Sequence, residues 1–164
     1  MQTKKLATAA VLTATAMMLS YVESLIPAFV AVPGIKIGLA NIVTVFALYT
    51  IGWRGALCVS LVRVCLSSLL FGNVTGFFYS LSGALLSFLG MLILSRISVF
   101  SPIAVSSVGG VLHNVGQILA SALVLETAAV FTYLPVLFIS GTIAGVVIGI
   151  AAGILVGRLE KIVK

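Results

Sequence analysis

Residues 133–157 read YLPVLFISGTIAGVVIGIAAGILVG, and this stretch decides the fold class. It carries no charged side chain, and it is apolar or small on every face. At about 1.5 Å per residue, a helix of this length covers the roughly 30 Å hydrocarbon core of a bilayer. A membrane β-barrel strand would alternate apolar and polar residues, which neither this stretch nor residues 39–51 does. The stretch predicts a transmembrane helix, and the whole chain supports that reading. Of 164 residues, 62% are hydrophobic and only 7% charged, too few charges to cover a water-facing surface.

Working outward, apolar runs at 6–26, 36–51, 55–71, 77–94, 102–125 and 133–157 predict six spans in a single integral membrane domain, 1–164. The breaks between them carry Pro27, Pro33 and Gly34, then Gly52-Trp53-Arg54, then Gly72 to Gly76. Lys4, Lys5 and the small residues Ala14-Thr15-Ala16 resemble a cleaved signal peptide. The apolar run continues to Ile26, however, so a retained first helix is the expectation. The net charge of +6 does not gather in a basic patch but punctuates the ends of apolar runs, which argues against nucleic acid as a partner. With both termini cytoplasmic, Lys4, Lys5, Arg54, Arg96, Arg158, Lys161 and Lys164 all lie inside, the bias that sets membrane orientation. The outer loops then hold Glu23, Lys36 and Glu126. The apolar, proline-bounded segment 27–36 is predicted to fold back over the bundle, either as an interfacial connector or as a lid over a site opening outward.

Gly141, Gly145, Gly149, Gly153 and Gly157 repeat every four residues. Glycines let helix backbones approach closely, and in lipid such packing is a main source of association. Packing within the bundle is the favoured reading, contact between molecules the alternative. In the first span Ala7, Ala10 and Ala14 lie on one side of a helix and offer a flat docking face for another membrane protein. Cys58 and Cys65, about 10 Å apart along one helical run, are too distant for a disulfide and read as packing residues.

The few polar residues at membrane depth are the candidate site. Arg63 lies nine residues into the run after Arg54, about 13 Å from its boundary. A charge there is costly and marks either a site or a structural ion pair, with Glu23 or Glu126. His113, Asn114 and Gln117 share adjoining faces of the fifth span, beside Gly109-Gly110, and hydrogen-bonded packing is the plainer alternative for the histidine. Lys36 and Asn41 open the second span, and Asn73 closes the third. Convergence of Lys36, Asn41, Arg63, Asn73, His113, Asn114 and Gln117 in the outer half of the bundle would suit a small ligand with an anionic and an apolar part.

Several chemistries are excluded. The chain has no aspartate and only three glutamates, so a carboxylate cluster holding magnesium against a diphosphate is out of reach. There is no phosphate loop for ATP hydrolysis, and one histidine with two separated cysteines makes no standard zinc site. No serine or cysteine nucleophile sits in a local catalytic motif. The expectation is a chain without catalysis, cofactor or metal of its own.

Pro33-Gly-Ile-Lys-Ile-Gly-Leu-Ala-Asn41, Gly52-Trp53-Arg54, Arg63 and Gly110-x-x-His113-Asn114-x-x-Gln117 together resemble the Gx transporter family, whose members are often labelled heptaprenyl diphosphate synthase component I. That family is similar in turn to the substrate-binding (S) components of energy-coupling-factor vitamin transporters. The resemblance implies a six-helix binder in the cytoplasmic membrane of a bacterium, taking a vitamin-, flavin-, quinone-precursor- or isoprenoid-like ligand beneath the loop after the first helix. It implies a separate transmembrane coupling subunit and two ATPases as partners, docked on the small-residue face of the first helix, which Ala10 and Ala14 match. The synthase label implies instead a membrane accessory subunit of a soluble polyprenyl diphosphate synthase.

Overall fold

The computed structural model describes residues 2–25 and 38–163. Among them the chain forms six α-helices and no strand: α1 (Gln2–Leu25), α2 (Asn41–Thr50), α3 (Trp53–Phe71), α4 (Val74–Ser95), α5 (Pro102–Leu125) and α6 (Leu134–Val163). A 3-10 turn, Ala128–Tyr133, leads into α6. Every helix except α2 is long and apolar enough to cross a membrane. The long helices turn large apolar side chains outward, among them Val11, Met18, Leu69, Ile93, Leu123 and Ile143. That surface is a liability in water and is matched in lipid, so the protein is a multi-pass membrane protein.

Local chemistry fixes the helix ends. Ser101 Oγ accepts the Ala104 N–H at 3.3 Å and Pro102 follows at the first helical position, which together start α5. Asn73 Oδ1 accepts the Gly76 N–H at 2.7 Å and starts α4. Gly52, at φ +84°, turns the chain from α2 into α3, a conformation costly for a residue with a Cβ.

The second span is shorter than its hydropathy predicts. A helix is expected over 36–51, but α2 occupies only Asn41–Thr50, about 15 Å of rise and half a bilayer core. Lys36 and the predicted lid at 27–36 lie outside the described residues. Gly38, at φ +86°, opens a turn through residues 39–40, and the buried Glu23 carboxylate of α1 accepts the Gly38 N–H. That turn delivers the chain to α2 part-way down the bundle.

Leu48 of α2, Ala56 of α3, Phe88 and Met91 of α4, Val105 of α5 and Ile148 and Ala152 of α6 share one core cluster. The end of α2, the start of α3, the end of α4, the start of α5 and the end of α6 therefore lie at one height. Lys4 of α1 and Leu155 of α6 line a common groove on this side, so it is the termini end of the molecule. The most extensive helix pairs are α5 with α6 and α4 with α5, whereas α2 touches α1, α3 and α6. The short α2 thus fills the middle of the termini half.

The close pairs are built on glycine. A Cβ on Gly145 would stand 2.5 Å from Ser107 Cα, and one on Gly149 would stand 2.6 Å from Ile103 Cα, so α6 lies backbone to backbone on α5. Gly141 of α6 meets Gly110 of α5 in the same seam. Gly153 and Gly157 have nothing within 4 Å, so only the first three positions of the four-residue ladder face α5. The drift of a four-residue period around a 3.6-residue helix carries the last two off the seam. Across the other face of α5, Gly116 abuts Gly83 of α4.

Candidate functional site

A layer of buried polar side chains lies where α2 begins. Asn41 is the first residue of α2, Arg63 is about 15 Å along α3 from Trp53, and His113 is about 16 Å along α5 from Pro102. All three are buried, as are Asn114 and Gln117. Glu23, Ser20, Ser67, Ser80, Ser87 and Ser121 are buried polar residues of the same helices or of α1 and α4.

The layer has two centres. At one, Glu23 of α1 acts electrostatically on Arg63 of α3, while its carboxylate also holds the Gly38 turn. Arg63 Nε and Nη2 are buried and find no hydrogen-bond partner among the described residues. At the other, His113 and Gln117 press on Gly83 of α4, where a Cβ would lie 3.1 Å from the imidazole and 3.0 Å from Gln117 Cγ. Among the described residues, both amide atoms of Gln117, which is 1% exposed, lack a hydrogen-bond partner, as does the Ser121 hydroxyl one turn further on. Leaving a buried donor or acceptor unpaired costs about 1–3 kcal/mol, and more when it is charged. Such groups in an apolar bundle are candidates for a functional site.

The remaining predicted residues divide. Asn114 Nδ2 donates to the Leu137 carbonyl of α6 at 2.8 Å, tying α5 to α6. Asn73 stands apart from the layer, exposed at the far end as the cap of α4, so its expected place in the site is corrected. Its capping role was hidden because the predicted fourth span begins at residue 77. Glu126 is also exposed, ending α5 in the left-handed region at φ 49°, so Glu23 is the glutamate beside Arg63. Cys58 and Cys65 are exposed rather than packed, on the outward side of α3. Ala7, Ala10 and Ala14 are exposed along α1. Among the described residues, no three of His, Cys, Asp or Glu gather as metal ligands do.

Sequence reasoning placed Glu23 in an outer loop and left it out of the site. The available signal was its position inside the apolar run 6–26, since a carboxylate within a span is a functional candidate by default.

The sequence model of a family described as heptaprenyl diphosphate synthase component I matches residues 12–155, from the first turns of α1 to near the end of α6. The chain belongs to that family. In this member of the heptaprenyl diphosphate synthase component I family, the match covers Arg63, the α5 polar cluster and the glycine seam alike. Comparison with curated proteins gives no match. Comparison with solved structures gives none either.

Proposed function

We propose that the protein is a non-catalytic membrane binder of a small molecule with an anionic and an apolar part, resembling an S component and working with separate coupling and ATPase subunits. The observation that carries this reading is the set of buried polar atoms without a hydrogen-bond partner among the described residues, Nε and Nη2 of Arg63 and both amide atoms of Gln117, at the depth of Asn41 and His113. Arg63 would pair with the anionic part, and Gln117 and His113 would orient the rest by hydrogen bonds. Because α2 begins at this layer, the half of the bundle beyond it is lined, among the described residues, by the long helices and the 3-10 turn before α6. With the termini cytoplasmic, that half faces outward, where an uptake protein captures its ligand. Lys36 belongs to this proposal by sequence position.

The test is mass spectrometry of small molecules retained by gently purified protein, followed by titration of whatever is found. Saturable binding lost in Arg63→Gln and Gln117→Leu, with melting unchanged, supports the reading. A protein that retains nothing, and saturates with none of a panel of vitamins, flavins and isoprenoid phosphates, refutes it. If Arg63 only balances Glu23, the double variant Glu23→Gln/Arg63→Gln regains the stability lost in either single one, and ligand binding never depended on them.

A second reading rests on the family description: a membrane accessory subunit of a heptaprenyl diphosphate synthase. With no aspartate in the chain, the magnesium-dependent condensation would belong to a soluble partner, and this protein would hold that partner and its product at the bilayer. Pull-down from the native membrane separates the two: an aspartate-rich soluble enzyme supports this reading, and coupling and ATPase subunits support the first.

A further inference from the structure

We propose a second binding site, distinct from the polar layer: a lateral groove that holds the hydrocarbon chain of a prenyl diphosphate, with the diphosphate at Lys4. The substrate class rests on the accessory-subunit reading; the groove itself does not. Among the described residues, α1 and α6 meet at most marginally, while α2 touches both. The ring of long helices is therefore open between α1 and α6, with α2 as the floor. The opening is a groove of about 580 Å³, lined chiefly by Val11, Leu12, Leu19, Ile42, Phe46 and Leu155, and Lys4 is its charged residue.

Three features select the occupant. The first is volume. A space of about 580 Å³ lies in the range of small-molecule sites and has room for a hydrocarbon chain seated along α1. The second is the lining. The two threonine hydroxyls along it are committed to their own helix, Thr8 Oγ1 donating to the Lys4 carbonyl at 3.0 Å and Thr15 Oγ1 to the Val11 carbonyl at 3.0 Å. The length of the groove thus offers nothing to a ligand that is polar along its body, and suits an unbroken hydrocarbon.

The third is charge. Lys4 and Lys5 open α1, and Arg158 follows Leu155 by one turn on α6, the spacing that puts both on one face. Exposed cations from both walls therefore gather at the termini end of an otherwise apolar channel. A diphosphate carries more negative charge than a single phosphodiester and matches this cluster better. The apolar body and the single multiply charged end of a prenyl diphosphate fit both halves.

The experiment uses the full chain in nanodiscs of neutral phosphatidylcholine and titrates heptaprenyl diphosphate, heptaprenol and dioleoyl phosphatidate. Val11 is 66% exposed, so Val11→Trp fills the groove without displacing a buried contact. We expect saturable binding of heptaprenyl diphosphate, weakened about tenfold or more by Val11→Trp and by Lys4→Glu, a change of about 1.4 kcal/mol. Lys4→Glu should leave heptaprenol binding unchanged. Binding indifferent to both groove variants overturns the proposal, and so does phosphatidate competing as well as heptaprenyl diphosphate, which would make the groove an ordinary lipid seat. Pull-down of a soluble synthase is scored separately, so the accessory-subunit reading fails there without the groove failing with it.

Discussion

Replacing Gly145 by alanine adds one methyl group at the tightest kind of contact the bundle contains. The new Cβ would lie 2.5 Å from Ser107 Cα and 2.6 Å from the Ser106 carbonyl oxygen, both backbone atoms of α5. Ordinary carbon contacts lie near 3.5–4.0 Å, so α6 must withdraw by about 1 Å along part of its most extensive interface. A gap of that size forfeits a quarter to a half of each contact it opens, and in lipid packing is a main source of helix association. Overpacking of this kind costs about 1–3 kcal/mol, and the upper end applies because neither neighbour is a movable side chain. Alanine recovers up to about 1 kcal/mol as the better helix former, leaving a net loss of about 1–2 kcal/mol. That corresponds to a melting midpoint lower by roughly 3–8 °C for a domain of this size. Gly153→Ala is the internal control. With nothing within 4 Å of its Cβ, only the propensity term remains, and the variant should be neutral or up to about 1 kcal/mol more stable. Thermal melting in detergent, followed by the intrinsic fluorescence of the single tryptophan and by monodispersity, reads both. Equal melting of the two variants would refute the seam: α5 and α6 would not then touch through Gly145.

Further outcomes follow from single contacts. Asn73→Ala removes the cap of α4 and should cost about 1 kcal/mol in melting experiments while leaving ligand binding intact, since the side chain is exposed and away from the polar layer. Asn114→Leu breaks the 2.8 Å bond to the Leu137 carbonyl and should destabilise by about 1 kcal/mol, visible as faster proteolysis between α5 and α6. Glu126→Gly relieves a left-handed residue at the end of α5 and should raise stability by up to about 1 kcal/mol, measured by the same melts. A maleimide probe should label Cys58 and Cys65 in the detergent-solubilised protein, with no disulfide formed between them under oxidation.

The long helices were legible because each announces itself twice, by an apolar run and by a stop. Residues 102–125 were read with both ends correct, since Ser101-Pro102 is a start signal that hydropathy alone does not supply. Other starts slipped by two or three residues where the signal was a lone Asn73 or the Gly52 turn. The second span misled for a physical reason. Gly38-Leu39-Ala40 is as apolar as the helix after it, and hydropathy measures solubility in lipid, not depth. Only the Glu23 carboxylate on the Gly38 N–H reveals that the chain turns there, and that contact joins residues fifteen apart. The glycine ladder was visible in sequence, but its partner was not: the seam needs Gly110 and Ser106 of α5, whose spacing means nothing until the helices are laid together. Arg63 and His113 were found because charge and polarity at depth are rare. Glu23 was named as an ion-pair partner for Arg63 but left out of the site, because it sat near the end of a run.

The short α2 joins these features into one design. A second helix of full length would place apolar side chains beside Arg63, and the charge would then face a cost of several kcal/mol with only Glu23 to offset it. By beginning at Asn41, α2 leaves the polar layer at its top and still presents Ile42, Val43 and Phe46 to the groove, where they form the floor between α1 and α6. The same ten residues therefore bound two environments of opposite character, a buried polar layer above and an apolar groove beside. Lengthening α2 toward residue 36 by replacing Gly38 with alanine tests this directly. Alanine is strained at φ +86°, and relief lies in extending the helix, which would pull the backbone away from Glu23. Binding at Arg63 should then fall while the groove, whose lining starts at Ile42, keeps its capacity. Loss of both together would mean that the two sites are one continuous cavity, and that α2 is a plug rather than a partition.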